Sequence, residues 1–372
     1  MPFVQFNWEI KNTEFSPFLD RLVIWLHQWR LPLLFFVSGI GVNYSLNKRS
    51  LLSFYGERFV RLFIPLVFSM FFTIPLQVYF ERLQRGQIKA GYLEFYPSVW
   101  KMVPYPEGTL TWSHMWFIVY LFTFTLLLFP VFGIYKLNFI KSAKKKLDRW
   151  CKNLIVVLMT ATALIACYYV LYLKWPEQGS LLDDWFVFIF SITLYFLGFF
   201  FADLRSFFET CEHHRKLFLV SAVVCIGAQF FFFWGHLEWR KLASPDSIYL
   251  YGALNGLLIW TTILTIFGFA KHHLNFSNPF LVYASEAVYP FYILHQTVIV
   301  ATGYYVTQWH LPIFPKLVIL LVLCFVFIWQ LYHWLIRPFI MTRLLFGVKI
   351  GKREAVVAMI GPKAASDTSK LS

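Results

Sequence analysis

The sequence predicts an all-α fold, a polytopic transmembrane helical bundle with about nine transmembrane helices. Three observations predict it. Of 372 residues, 59% are hydrophobic and 14% charged, with a mean hydropathy of +0.60, well above an ordinary globular domain. Forty-four Phe, 20 Tyr and 15 Trp make the chain 21% aromatic, as expected where rings meet lipid tails and Trp and Tyr occupy the interfaces. The apolar residues also fall in continuous runs of roughly 20, the length that crosses a hydrocarbon core with every backbone polar group satisfied.

Nine such runs follow in order, at about 22–46, 59–80, 115–136, 154–173, 185–203, 217–234, 248–270, 287–306 and 316–336. They are continuous rather than alternating and longer than barrel strands of about 10 residues, which makes strands a poor alternative. Pro32, Pro65, Pro75, Pro130 and Pro290 fall inside or near the ends of these runs and predict kinks. Cys151, Cys167, Cys211, Cys225 and Cys324 show no C-x-x-C spacing and read as small packing residues.

The net charge of +14 does not point to nucleic acid, because the basic residues alternate between apolar runs instead of gathering on one soluble face. They set orientation. Lys48, Arg49, Arg58 and Arg61 flank the first connection, and Lys141, Lys144, Lys145, Lys146, Arg149 and Lys152 crowd the third, so both are expected in the cytoplasm. The long segment from Glu81 to His114 and "KWPEQGSLLDD", Lys174–Asp184, then lie outside. Three regions are expected: residues 1–20 as an extracytoplasmic N-terminal segment, 21–336 as the transmembrane domain, and 337–372 as a cytoplasmic tail ending in the disordered "GPKAASDTSKLS".

An outward N-terminus is unusual because Met1–Asp20 has neither a basic n-region nor an uninterrupted h-region. An additional helix before Met1 would explain it; translocation of a short tail is the simpler alternative.

Polar residues inside the runs need a reason. Arg30, in "HQWRLPLLFFVSG", lies about eight residues into its run, roughly 12 Å deep, where a cation needs an ion-pair partner or a wet, anion-binding cavity. His295, beside Gln296 in "EAVYPFYILHQTVIV", is a candidate proton-exchanging group or a hydrogen-bonded core histidine. Glu286 and Tyr289 open the same run, where the carboxylate reads as a helix cap. His114, between Trp112 and Trp116, sits where an extracytoplasmic substrate would arrive, or belongs to the interfacial belt. Arg58 and Arg61 share a helix face at i and i+3; they grip phosphates or act as topology determinants. The pairs His213–His214 and His272–His273 are adjacent in sequence and do not share a face, so no metal is assigned. No P-loop, G-x-S-x-G elbow, H-E-x-x-H pair or H-x-x-x-x-D motif occurs.

Four ordered motifs, "QWRLPLLFFVSGIG", "ERFVRLFIPLVF", "WSHMWFIVYLF" and "EAVYPFYILHQTVIV", resemble the acyltransferase-3 family of bacterial integral membrane proteins, and within it the glucan succinyltransferase-like branch. The resemblance runs from about Asn7 through the ninth run. It implies ten helices and transfer of a succinyl or acetyl group from cytoplasmic acyl-CoA, across the bacterial inner membrane, to a hydroxyl of an extracytoplasmic glycan. It implies acyl-CoA as co-substrate, no permanently bound cofactor, and membrane lipids, the glycan acceptor and glycan-synthesis proteins as partners. On this view Arg30 lines the conduit, Arg58 and Arg61 hold CoA phosphates, and His295 and His114 serve the acyl path and acceptor.

Members of the family begin with a helix bearing a basic residue and, about ten positions later, a histidine assigned to catalysis. Arg21 and His27 have the wrong spacing to replace them. The charge bias and the resemblance thus converge on a lost first helix, explained by a misassigned start; an inactive, truncated relative is the alternative. A glycan or lipid transporter is the competing functional class, because intramembrane polar residues also line transport routes.

Overall fold

The computed structural model describes residues 2–6, 8–135, 138–175, 181, 183–235 and 244–349. Helix dominates, and among the described residues there is no strand beyond an isolated bridge between Pro104 and Leu110. The all-α expectation is met. The principal helices are α1 (Pro17–Asn47), α2 (Leu51–Gln84), α3 (Ser113–Leu127), α4 (Asn138–Trp150), α5 (Leu154–Tyr172), α6 (Trp185–Phe201), α7 (Arg205–His213), α8 (Arg215–Trp234), α9 (Pro245–His273), α10 (Pro279–Val306) and α11 (Ile313–Ile336).

Each of the nine predicted runs is occupied by helix, yet not all nine are equally apolar. Six of the described helices are long and apolar enough to cross a membrane: α1, α2, α5, α8, α9 and α11. The run at 185–203 is part of a bent pair, α6 and α7, that turns through 102° and counts as a seventh span if taken together. Helix α3 is shorter, and α10 carries His295, Gln296 and several tyrosines that dilute its apolar character. The predicted disordered end and residues 176–180 and 182 of "KWPEQGSLLDD" lie outside the described residues.

The chain divides into two compact units. Among the described residues, those within 1–17, 56–122 and 277–349 form the first, and those within 18–55 and 123–276 the second. In the second unit, α1 and α6 meet backbone to backbone. A methyl group built on Gly39 would lie 1.9 Å from the Tyr195 carbonyl oxygen, and one on Gly198 would lie 1.9 Å from that of Phe36. Glycine at both positions permits an approach that lipid-embedded helices exploit, since dispersion at short range, not hydrophobic exclusion, holds them together. Around this crossing Phe36 contacts Phe201, Phe207, Trp260 and Phe267, with ring centroids 5.4–6.4 Å apart. Trp260 donates its indole N–H to the Val157 carbonyl at 2.7 Å, so the large ring is buried without an orphaned donor.

Two buried amides in this unit are held by hydrogen bonds through their nitrogens. Buried Asn43 donates to Tyr135 Oη at 2.5 Å, the Phe199 carbonyl at 2.9 Å and Asp203 at 3.1 Å, and Lys144 pairs with the same carboxylate. Asn255 joins α9 to Gln28 at 2.7 Å and to Tyr168 Oη at 2.6 Å. All five cysteines are reduced and buried, in accord with packing roles. The exposed faces are apolar where lipid is expected: Val220, Val223, Val224 and Phe231 on α8 remain uncovered.

In the first unit, α10 packs against α2 and α11. The predicted kinks in α2 take a specific form. A π-turn spans Phe59–Phe63 just before Pro65, and another spans Ser69–Thr73 just before Pro75. Proline lacks an N–H and its ring clashes with the carbonyl four residues back, and widening the preceding turn accommodates both. Pro32 and Pro290, by contrast, sit within continuous helices.

Candidate functional site

Helix α10 provides a ladder of polar side chains along its length: Tyr289, Tyr292 and then His295, each three residues on, so they recur on one face. The rise from Tyr289 to His295 is about 9 Å at 1.5 Å per residue. Tyr289 and Tyr292 stack nearly parallel, with ring centroids 6.4 Å apart. Tyr292 and His295 follow at 5.7 Å.

The two candidate histidines meet although 181 positions separate them in the chain. His114 and His295 stand perpendicular, with ring centroids 5.2 Å apart. His295 Nδ1 lies 2.6 Å from the Tyr292 carbonyl, which makes Nδ1 the protonated nitrogen of the neutral ring. The basic lone pair is therefore on Nε2, and the carbonyl orients the ring as a carboxylate does in a hydrolase triad.

His114 has a different environment. Its Nε2 lies 3.0 Å from the Ile293 carbonyl, and its Nδ1 lies 3.3 Å from the Gln77 amide nitrogen. These partners fix the Nε2–H tautomer and engage both nitrogens. Gln77 also donates to Thr297 Oγ1 at 2.7 Å and accepts from Ser113 Oγ at 3.0 Å, while Thr297 donates to the Thr73 carbonyl at 3.1 Å. Tyr292 Oη donates to the His114 carbonyl at 2.6 Å. Ser113, just before His114, has φ of +40°, a left-handed backbone that β-carbon sterics disfavour, and its hydroxyl and amide are both held. The geometry makes His114 a fixed ring and His295 the histidine with a basic atom directed by its neighbour.

Arg58 and Arg61 lie toward the other end of the ladder. Arg61 donates from Nε to the Gly347 carbonyl at 3.1 Å and pairs with Glu57 at 3.4 Å. Gly347, at φ +64°, is wedged against the Tyr289 ring and the Arg61 carbonyl, where any β-carbon would overlap both. Both arginines are near enough to act electrostatically on the Tyr289 phenol. The Tyr289 hydroxyl is buried with no hydrogen-bond partner among the described residues, a costly state for a phenol unless something else binds there. The π-turn at Phe59–Phe63 holds Arg61, so the arginine pair does not keep the plain α-helical phase assumed from its spacing.

Arg30 belongs to the second unit. It lies on an exposed stripe of α1 with His27, Leu34 and Val37, and no described residue offers it a hydrogen bond or an ion pair. Among the described residues no three His, Cys, Asp or Glu side chains converge as a metal site. His272 lies 3.1 Å from Glu212, which Lys271 also approaches at 3.3 Å, an ion-pair cluster joining α7 to α9. Sequence reading missed Gln77, Ser113, Tyr292 and Thr297. Gln77 carried a usable signal, a polar amide within the apolar run "FTIPLQVYF".

The acyltransferase-3 family model, described as an acyltransferase domain, matches residues 2–333. The chain is similar to "Glucans biosynthesis protein C" of Escherichia coli O139:H28, of Escherichia coli K12 and of Shigella dysenteriae serotype 1. Each is 24% identical over 308 residues, covering 81% of this chain and 77% of the relative. No solved structure matches.

Proposed function

Because the chain belongs to the acyltransferase-3 family, we propose that this multi-pass membrane protein moves a succinyl or acetyl group from cytoplasmic acyl-CoA to a hydroxyl of an extracytoplasmic glycan, in the bacterial inner membrane. The observation that carries the proposal is the ladder on α10, with the cationic pair Arg58 and Arg61 toward one end and the His295–His114 pair toward the other. The relatives named for glucan biosynthesis support a glucan as the acceptor.

A thioester is already activated, so the protein has to bind it, deprotonate the acceptor and stabilise the oxyanion. Arg58 and Arg61 take the CoA phosphates, for which a guanidinium fork is suited. His295 Nε2 removes the proton of the sugar hydroxyl as its oxygen bonds to the thioester carbonyl carbon. The carbonyl π electrons move onto oxygen, giving the tetrahedral oxyanion. Collapse restores the carbonyl, breaks the C–S bond and releases the CoA thiolate, which takes the proton from His295. Arg30 is the proposed cation lining the acyl-CoA route in the second unit. No metal or nucleotide hydrolysis enters the scheme.

The test uses the full chain in sealed vesicles, with succinyl-CoA labelled in the succinyl group at one face and a neutral β-glucan hexasaccharide at the other. Labelled ester on the hexasaccharide is the expected product. Changing Arg58→Gln together with Arg61→Gln should raise the KM for succinyl-CoA about 10-fold or more, the loss of charge-assisted hydrogen bonds, without changing the KM for the hexasaccharide. Hexasaccharide that crosses unmodified without acyl-CoA would instead identify a transporter.

A further inference from the structure

Among the described residues of 2–16 there is no helix, yet they are held firmly within the first unit. Phe3, Val4 and Ile10 are fully buried. The segment closes on itself, with the Asn12 N–H donating to the Pro2 carbonyl and the Ser16 N–H to that of Phe3, both at 3.0 Å. Three helices then pin it. Gln84 of α2 brackets the Lys11 backbone, accepting its N–H and donating to its carbonyl, both at 2.8 Å. Lys316 of α11 is buried and donates to Asn12 Oδ1 at 2.9 Å and to the Thr307 carbonyl at 3.0 Å. Gln296 of α10 donates from Nε2 to both carboxylate oxygens of Glu9, at 2.9 and 3.0 Å.

The last contact fixes a carboxylate beside the residue that follows His295. Nearby Glu81 is already committed, to Arg85 at 2.7 Å and to the Tyr105 hydroxyl at 2.9 Å. Glu9 is held instead by a neutral amide, and burial is the main cause that raises its carboxyl above the ordinary range. Three polar anchors and a buried loop core maintain that arrangement, although a half-buried carboxylate opposes its own desolvation. An ionised carboxylate is an acceptor with about four lone-pair positions, of which a single amide nitrogen uses a part. Sugar hydroxyls are donors, and two neighbouring ones match a carboxylate's paired oxygens. At the same end of the unit Gly303 packs against Pro2 and Ile10 of the segment, next to the contact of buried Phe80 with Tyr304, with ring centroids 5.3 Å apart.

We propose that Glu9 is an acceptor-positioning residue: its carboxylate accepts hydrogen bonds from hydroxyls of a neutral glycan and selects which hydroxyl reaches His295. The proposal rests on the acyltransferase reading above and adds the acceptor subsite to it. It assigns the N-terminal segment to substrate recognition, and makes its three anchors the reason that recognition is specific.

The experiment measures steady-state ester formation by the full chain in membranes, with succinyl-CoA and the β-glucan hexasaccharide varied separately. Glu9→Gln preserves shape but weakens acceptor strength, and Glu9→Asp preserves charge at shorter reach. Glu9→Gln should raise the KM for the hexasaccharide about 10- to 100-fold, leave the KM for succinyl-CoA within about twofold, and spread the ester over more hydroxyl positions. Glu9→Asp should recover part of the affinity. An unchanged hexasaccharide KM in Glu9→Gln, or an equal loss for donor and acceptor that Glu9→Asp does not recover, would overturn the proposal while leaving the acyltransferase reading standing. Absence of ester from the wild-type chain would remove that reading, and this subsite with it.

Discussion

Replacing His295 by alanine is expected to lower succinyl transfer to the glucan hexasaccharide about 10²- to 10⁴-fold, the usual contribution of a positioned general base. The ring is oriented by the Tyr292 carbonyl, so its Nε2 presents the basic lone pair to a fixed place in the ladder. The loss should fall mainly on kcat, because an interaction made as the proton moves is absent from the bound ground state. His114→Ala should behave differently. That ring is tied through Gln77 to Thr297, Ser113 and α10, so its removal leaves buried polar partners unsatisfied and lowers stability as well as rate. The two variants are compared by transfer kinetics and by thermal unfolding in detergent. If His295→Ala retains wild-type kcat, the assignment of the base is wrong; if His114→Ala loses activity at full stability, the division of roles is wrong.

The comparison of these histidines shows what the sequence could disclose. Each was visible as an imidazole in or beside an apolar run, because such residues are expensive in lipid and need a reason. Their meeting was not visible. It depends on α2, α3 and α10 converging, and the contacts that join them, Gln77 to Thr297 and His114 to Ile293, span 220 and 179 positions of chain. The helices themselves were legible because lipid forces the backbone to satisfy its own hydrogen bonds, so an apolar run of sufficient length can be little else. The 102° turn between α6 and α7 was not, since no proline or glycine marks the break at residues 202–204. The prolines of α2 predicted a disturbance, but not that it would become π-turns that shift Arg61. Glu9 could not be found at all from periodicity: it lies in an irregular segment whose place is fixed by side chains on three distant helices.

The glycines carry the other large expected effect, and here two physical terms oppose each other. Substituting alanine for glycine within a helix is ordinarily favourable by about 1 kcal/mol, because glycine loses more backbone entropy on ordering. Gly198→Ala should reverse that sign. Its new methyl would lie 1.9 Å from the Phe36 carbonyl oxygen, and Gly39→Ala would place one 1.9 Å from that of Tyr195. Neither obstacle is a flexible side chain; both are backbone, so α1 and α6 must separate by more than an ångström. Overpacking of this kind costs roughly 1–3 kcal/mol or more, and the loosened crossing also disturbs the ring cluster of Phe36 and the hydrogen bond from Asn43 to the Phe199 carbonyl. Gly227 provides the control, since nothing lies within 4 Å of its added β-carbon. In thermal unfolding followed in detergent, Gly227→Ala should be neutral or stabilising, while Gly198→Ala and Gly39→Ala should each lower the midpoint. The double variant should lose less than the sum of the two, because both changes relieve themselves through the same separation of the same pair of helices. Equal midpoints for Gly198→Ala and Gly227→Ala would show that the two backbones do not approach as closely as this crossing requires.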